Sequence, residues 1–346
     1  MPKKNNAASS VSTAPYAALT PECLLDAIET TGLRCDGRLS TLNSYEDRVY
    51  QVWLADHEGG ESVVAKFYRP KRWSRAAILE EHAFALELAD AELPIVAPMM
   101  LKGRTLHEHA GFLFALTPRQ GGRTPEFEDG ETLRWLGRFI ARIHAIGALN
   151  EFRHRPAIGW EEFGEAPVDY LLDHDFMPGD LRVAYESTVR DVLKRVKHRW
   201  RQCEAGRGFD TLRLHGDCHA GNILWTDGKP GGPHFVDLDD ARMGPAVQDI
   251  WMWLGGDRET RQRQLAAIIA GYREFFDFNP VELALIEPLR TLRMVHYAGW
   301  LARRWDDPAF PQSFPFFNTQ RYWQDHILAL REQAAALDEP PLELIL

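Results

Sequence analysis

The sequence predicts an α+β chain of two lobes: a β-rich N-lobe and a larger, mainly α-helical C-lobe. Three observations carry this. Between Leu39 and Thr117, apolar residues alternate or run in short blocks bounded by turns, as strands do. From about Leu133 onward they recur at helical spacing over long stretches. Between the two regions lies Pro118-Arg119-Gln120-Gly121-Gly122, a natural hinge. The organisation expected is therefore a disordered tail over 1–18, an N-lobe over 19–117, a hinge over 118–122 and a C-lobe over 123–346. A chain of 346 residues is long enough for this bilobal unit.

Taken in order, Thr20-Pro21-Glu22 opens a helix, with Thr20 as cap and proline in the first turn, and Gly32 ends it. Leu39 to Leu42 is a short extended run. A turn at Asn43-Ser44-Tyr45-Glu46-Asp47 leads into a strand from Arg48 to Leu54. Gly59-Gly60 turns the chain into a second strand from Ser62 to Tyr68. Lys66 lies inside that apolar strand, where an ammonium costs several kcal/mol unless paired. Its partner is expected on the next helix, about Arg75 to Ala89. Glu80 and Glu81 are adjacent there and point about 100° apart, so one of them faces Lys66. The basic stretch Arg69 to Arg75 reads as a solvated loop with Ser74 as helix cap; the other reading is a docking surface for an acidic or phosphorylated partner. Leu93 to Val96 and Gly111 to Thr117 read as strands.

In the C-lobe, Leu133, Leu136, Ile140 and Ile143 share one helical face, and His144 at its end reads as a core or capping histidine. Further helices are expected over about Leu181 to Glu204, at Gln248 to Trp251, and over Arg258 to Phe276, Pro280 to Trp305 and Thr319 to Ala336. Tyr297, Trp300, Trp305, Tyr322 and Trp323 read as helix-packing core. Arg290, Arg293, Arg303 and Arg304 are candidates for the acceptor side. They could hold a peptide, stabilise transferred phosphate, or pair with acidic surface.

The chemistry concentrates between Leu214 and Asp240. Asp217 and Asn222 stand five residues apart in LHGDCHAGNILW, and Asp237 follows a short apolar run in FVDLDD. Phosphoryl transfer from a nucleotide needs such a set: one carboxylate orients the acceptor hydroxyl, while an amide oxygen and a second carboxylate hold Mg2+ against the phosphates. The spacing matches the D-x-x-x-x-N of kinase catalytic loops, with His-Gly-Asp for His-Arg-Asp. Val64-Ala65-Lys66 is a shortened V-A-I-K, whose lysine clamps the phosphates. No G-x-G-x-x-G stands between the first strands. About ten residues separate Asp240 from Gln248, too few for a long activation loop.

HGDCHAGN followed by VDLDD resembles the Brenner motif and metal-binding segment of the aminoglycoside phosphotransferase and choline kinase-like superfamily. LNSYEDRVYQ, VAKFYRPKRW, ILEEHAFALEL, FVDLDDARMGPAVQDIWM, IEPLRTLRMVHYAGWLARRW and DPAFPQSFP resemble the bacterial stress response kinase A (RdoA) family, from about Leu19 to the C-terminus. The resemblance implies a protein-kinase-like fold and a cytoplasmic, Mg-ATP-dependent serine/threonine protein kinase tied to stress survival. It implies nucleotide contacts at Ser44, Lys66, Glu81 (with Glu80 a close second), Leu116 and Arg119, the adenine lying near Leu116 to Gln120. It implies Asp217 and Asp237 as catalytic residues, Asn222 and Asp237 as Mg2+ ligands, and Asp249 as acceptor of hydrogen bonds from the catalytic-loop backbone. Asp239 is left open between second metal ligand and structural hydrogen bonder.

Composition narrows the classes. A net charge of −10 argues against a broad nucleic-acid or anionic-membrane surface. No run of about 18 apolar residues is present, so no membrane span is expected. The start, MPKKNNAASSVSTAP, lacks the apolar core of a signal peptide. Cys23, Cys35, Cys203 and Cys218 form no zinc spacing and suit a reduced cytoplasm. Cys218, beside Asp217, reads as a small residue tolerated in the loop, with a redox switch as the alternative. The partners expected are proteins with serine or threonine acceptors, and the state expected is a monomer. The rivals are a phosphotransferase acting on an aminoglycoside, choline or homoserine-like alcohol, and a nucleotide-binding regulator without turnover.

Overall fold

The computed structural model describes residues 14–55, 61–228 and 231–344. Most of the tail expected over 1–18, and the Gly59-Gly60 turn, lie outside the described residues. From Ala14 the chain is placed. Tyr16 is buried under the sheet, its hydroxyl donating to the carbonyls of Glu46 and Phe67 at 3.2 Å each.

The N-lobe opens with helix α1, Pro21–Glu29, capped by the Thr20 hydroxyl. Strands β1 (Cys35–Leu42), β2 (Arg48–Leu54) and β3 (Ser62–Phe67) follow. Helix α2, Arg75–Asp90, has the Ser74 cap the sequence predicts. Strands β4 (His107–His109) and β5 (Phe112–Pro118) complete an antiparallel sheet of order β1-β2-β3-β5-β4. The period of two divides its faces. Val63, Ala65, Phe67, Phe114 and Leu116 pack with Leu24, Ala27 and Ile28 of α1. The opposite face carries Val49, Lys66 and Ala115 in one cross-strand row, and Val64 beside Thr117 in the next.

Leu93 to Val96 is not a strand of this sheet. Pro94 and Pro98 lack the N–H groups a ladder needs. Ile95 instead makes one parallel bridge to Phe235 of the C-lobe, with Val96 N donating to Phe235 O at 3.0 Å. The solvated-loop reading of Arg69 to Arg75 is also corrected. Arg69 is 7% exposed and donates to Asp307 at 2.7 Å and to the Glu46 carbonyl at 2.9 Å. Arg72 pairs with Asp239 and Asp240. The acids that bury this basic loop come from three distant segments, so no local pattern announces them.

The C-lobe comprises α3 (Gly130–Gly147), α4 (Ala166–Asp173), α5 (Gly179–Ala205), α6 (Arg258–Tyr272), α7 (Ile286–Arg303), α8 (Ala309–Ser313) and α9 (Gln320–Asp338). Between α5 and α6 lie two small antiparallel pairs. Strand β6 (Leu212–Leu214) pairs with β9 (Arg242–Gly244), and β7 (Ile223–Thr226) with β8 (Gly232–Phe235). Helices α4 and α8 are too short to show a period and were not expected. The helix expected at Gln248 to Trp251 is two 3-10 turns, Ala246–Asp249 and Trp251–Trp253, whose polar groups are committed to the catalytic loop. Helix α7 begins at Ile286 and not at Pro280. Pro288 fits the first helical turn, where its missing N–H would have no intrahelical partner anyway. Trp323 is fully buried, and Trp300 and Trp305 pack against the core, as expected; Tyr297 does not, and remains 41% exposed.

Helices α3 and α6 approach at two glycines. A Cβ on Gly137 would stand 2.1 Å from the Ile268 carbonyl oxygen, and one on Gly271 would stand 2.0 Å from that of Arg134. Both obstacles are backbone, so the helices would have to separate. Gly137→Ala and Gly271→Ala should each lower stability by about 1–3 kcal/mol despite the better helix propensity of alanine, as read by urea unfolding.

Candidate active site

A cavity of ≈ 330 Å³ separates the open face of the N-lobe sheet from the β7–β8 hairpin. Val49, Val64 and Ala115 form its roof, and Leu224, Val236 and Leu238 its floor. The result is an apolar slot suited to a flat ring. Thr117 to Gln120 close the hinge end, while Ser44, Lys66, Asn222 and Asp237 line the other. Strand alternation decides which neighbours take part. Leu116, expected to offer backbone groups near the nucleotide, turns its side chain into the N-lobe core, and its carbonyl accepts Met99 N at 2.7 Å. Its neighbours Ala115 and Thr117 face the cavity. Arg119 lines it while donating to Gln51 at 3.2 Å and to the Gln120 carbonyl. Ser44 Oγ accepts Asp47 N at 3.3 Å, which shapes the turn.

Lys66 is held by acids from both sides of the cleft. Its ammonium lies 2.6 Å from Asp237, 3.5 Å from Asp239 and 3.6 Å from Asp47. Burial opposes the charged form, but Asp237 and then Asp239 and Asp47 outweigh it and hold the lysine protonated well above its ordinary range. Among the described residues no ion pair joins Lys66 to Glu81 or Glu80. Glu81 does line the cavity, and burial pushes its carboxyl up to about 7. Glu80 turns away and accepts the backbone N–H groups of Arg153 and His154 at 2.8 Å each. Beside Glu81 sits His82, which sequence reading did not single out. It is fixed by the Tyr68 hydroxyl at 2.7 Å and the Thr105 hydroxyl at 2.8 Å. Burial also raises Asp47 to about 7, with Asp239 adding to the effect. Asp239 is buried behind Lys66 and taken by Arg72, which favours its structural reading.

The catalytic-loop candidate is fixed from behind. Asp249 is fully buried and accepts His215 N at 2.7 Å and Gly216 N at 2.8 Å, as the resemblance implies. His144, buried as predicted, holds Asp249 at 3.2 Å and the Tyr272 hydroxyl at 2.9 Å. Gln248 donates to Gly216 O at 2.9 Å, and the Trp253 indole to Cys218 O at 2.7 Å. His215 donates to Val236 O at 2.9 Å, tying the loop to the hairpin. Gly216 has a φ of 85°, and a Cβ there would stand 2.1 Å from Asp240 O, which explains glycine where kinases carry arginine. Asp237 is a non-glycine residue in the left-handed region, φ 62° and ψ 63°, an uncommon conformation retained where surrounding bonds over-determine it. Asn222 Nδ2 donates to Asp217 O at 2.9 Å, which leaves its amide oxygen for the cavity. Asp217 is beside this end, partly exposed, paired with Arg293 of α7 and 3.6 Å from His219. Cys218 is fully buried, and burial pushes its thiol well above its ordinary range, which favours reading it as a small residue tolerated in the loop.

Oxygen donors alone, one amide and one carboxylate, suit a hard divalent cation that keeps waters and shares phosphate oxygens. The set therefore fits Mg2+, and the lysine beside it fits a polyphosphate. Residues 38–286 match the model of the phosphotransferase enzyme family. Stress response kinase A of Escherichia coli K12 is 46% identical over 95% of this chain and 97% of its own length. The chain belongs to the stress response kinase A family. It is a phosphotransferase. The serine/threonine protein kinase RdoA of Salmonella typhimurium is 45% identical over the same shares. Among solved structures, an amicoumacin kinase in complex with AMP-PNP and Ca2+ superposes with a TM-score of 0.68 at 19% identity, over 91% of this kinase and 93% of that chain. Among the described residues no helix is long and apolar enough to cross a membrane.

Glu81 gives this kinase a pH signature. Its folded pKa of about 7 exceeds its ordinary 4.5. The stability it contributes is therefore complete below pH 4.5 and is lost as the pH rises through 7. Glu81→Gln should flatten the unfolding free energy between pH 5 and 7 by up to ~1.4 kcal/mol per pH unit relative to wild type, measured by urea melts.

Proposed function

We propose that this phosphotransferase is a Mg-ATP-dependent serine/threonine protein kinase of the cytoplasm, transferring the γ-phosphoryl group to protein hydroxyls in stress survival. The observation that carries it is the convergence of Lys66, Asn222 and Asp237 at one end of an apolar slot, with Asp217 on the adjoining loop. The adenine would lie between the Val49–Val64–Ala115 roof and the Leu224–Val236 floor. Lys66 would hold the phosphates, and Glu81 stands where the lysine could turn once a phosphate displaces it from Asp237. Asn222 and Asp237 would hold Mg2+, which when bound neutralises phosphate charge. Asp217 would orient the acceptor hydroxyl and receive its proton, positioning and charge stabilisation supplying most of the rate. The name of the Salmonella relative, a serine/threonine protein kinase, supports protein acceptors. The short buried segment from Asp240 to Asp249 supports activity without activation-loop phosphorylation.

Labelled γ-phosphate supplied with Mg2+ should appear on protein serine or threonine with wild type. Asp217→Asn should lower transfer at least ~10³-fold while nucleotide affinity stays within about threefold. Asp237→Ala should weaken Mg2+-dependent nucleotide binding as well. Label leaving only on an added amino alcohol or aminoglycoside would make the chain a small-molecule kinase, and nucleotide binding without transfer would make it a regulator.

A further inference from the structure

We propose that Arg293, with the rings of Tyr45 and Tyr297, forms an acceptor subsite that selects serine or threonine flanked by an anionic side chain in a protein segment. This rests on the protein-kinase reading and names the substrate class for it. Arg293 projects from α7 onto Asp217, so its charge sits beside the group that would take the acceptor hydroxyl. Its Nη1 meets Asp217, yet the side chain is 45% exposed. A guanidinium carries five N–H donors in a planar fork, and one carboxylate oxygen does not exhaust them.

One helical turn on, Tyr297 packs tilted against Trp300 with centroids 5.6 Å apart and stays 41% exposed. From the N-lobe turn, Tyr45 packs on Phe314 at 4.7 Å and is 52% exposed. Phe314 in turn packs on Trp300 at 5.6 Å, so both tyrosines belong to one aromatic wall supported from behind. Glu46 keeps the Tyr45 turn seated on that wall, accepting from the Trp300 indole at 2.5 Å and pairing with Arg304 at 2.8 Å. Half-exposed tyrosines backed by packed rings and next to an arginine are a composition suited to anchoring a bound peptide. A fixed cation beside Asp217 repels an ammonium-bearing acceptor and attracts a carboxylate or phosphate.

The test is a degenerate serine/threonine peptide library with one flanking position at a time set to Asp, phosphoserine, Ala or Lys. Choline and an aminoglycoside are assayed beside it. Wild type should favour Asp or phosphoserine over Lys at one position or more by roughly tenfold, the two anions separating carboxylate from phosphate recognition. Arg293→Glu should reverse that preference. Should its turnover be too slow to score, Arg293→Gln, which can still hydrogen-bond Asp217 without the charge, should erase the preference. Peptides labelled by wild type without regard to flanking charge, or a preference unchanged in both variants, overturns the inference and leaves the kinase reading standing. Label on choline or the aminoglycoside alone overturns both.

Discussion

The ammonium of Lys66, largely enclosed between the lobes, is the constraint on which the rest depends. A buried charge left without a partner costs several kcal/mol, so its acids cannot be optional. They come from the N-lobe turn, as Asp47, and from the end of the C-lobe hairpin, as Asp237 and Asp239. The excess negative charge is then met by Arg72, and Arg69 extends the same seam to Asp307. The network joins the sheet that roofs the cavity to the hairpin that floors it.

A second set of bonds holds the proposed catalytic loop still. Asp249, itself pinned by His144, fixes the backbone ahead of Asp217, and Gln248 and Trp253 fix the carbonyls on either side. With the backbone fixed, the left-handed turn at Asp237 and the close pass of Gly216 over Asp240 become affordable. This is the arrangement expected where catalysis relies on positioning: the side chains that meet substrate are few, and the groups that orient them are many and buried. The proposed acceptor side differs in kind. Arg293, Tyr45 and Tyr297 stay half exposed, backed by packed aromatics, and so can meet a large partner.

The motif residues were legible because phosphoryl transfer demands certain atoms at set spacings. Asp217 and Asn222 stand on the loop that enters one short hairpin and Asp237 just past its second strand, so a single local turn brings them together. Lys66 was legible because a charge inside an apolar strand needs a reason. Its partner was not, because the choice among Glu81, Asp47, Asp237 and Asp239 depends on how the lobes meet. The basic loop misled for the same reason: Arg69 and Arg72 look solvated until distant acids cover them. Leu116 shows a narrower limit, since a strand assigned correctly still leaves the facing of its side chains to the helix packed beneath it.

By itself, then, the sequence determined the two-lobed plan, the long helices and the reaction class, since periodicity and local motifs are properties of neighbouring residues. Tertiary structure alone decided which carboxylates hold Lys66, which face of β5 meets the cavity, and that Arg293 reaches Asp217 from 76 positions away. Those outcomes belong to contacts between segments far apart in the chain, where burial and charge compensation act on the assembled molecule and leave no periodic trace in the sequence.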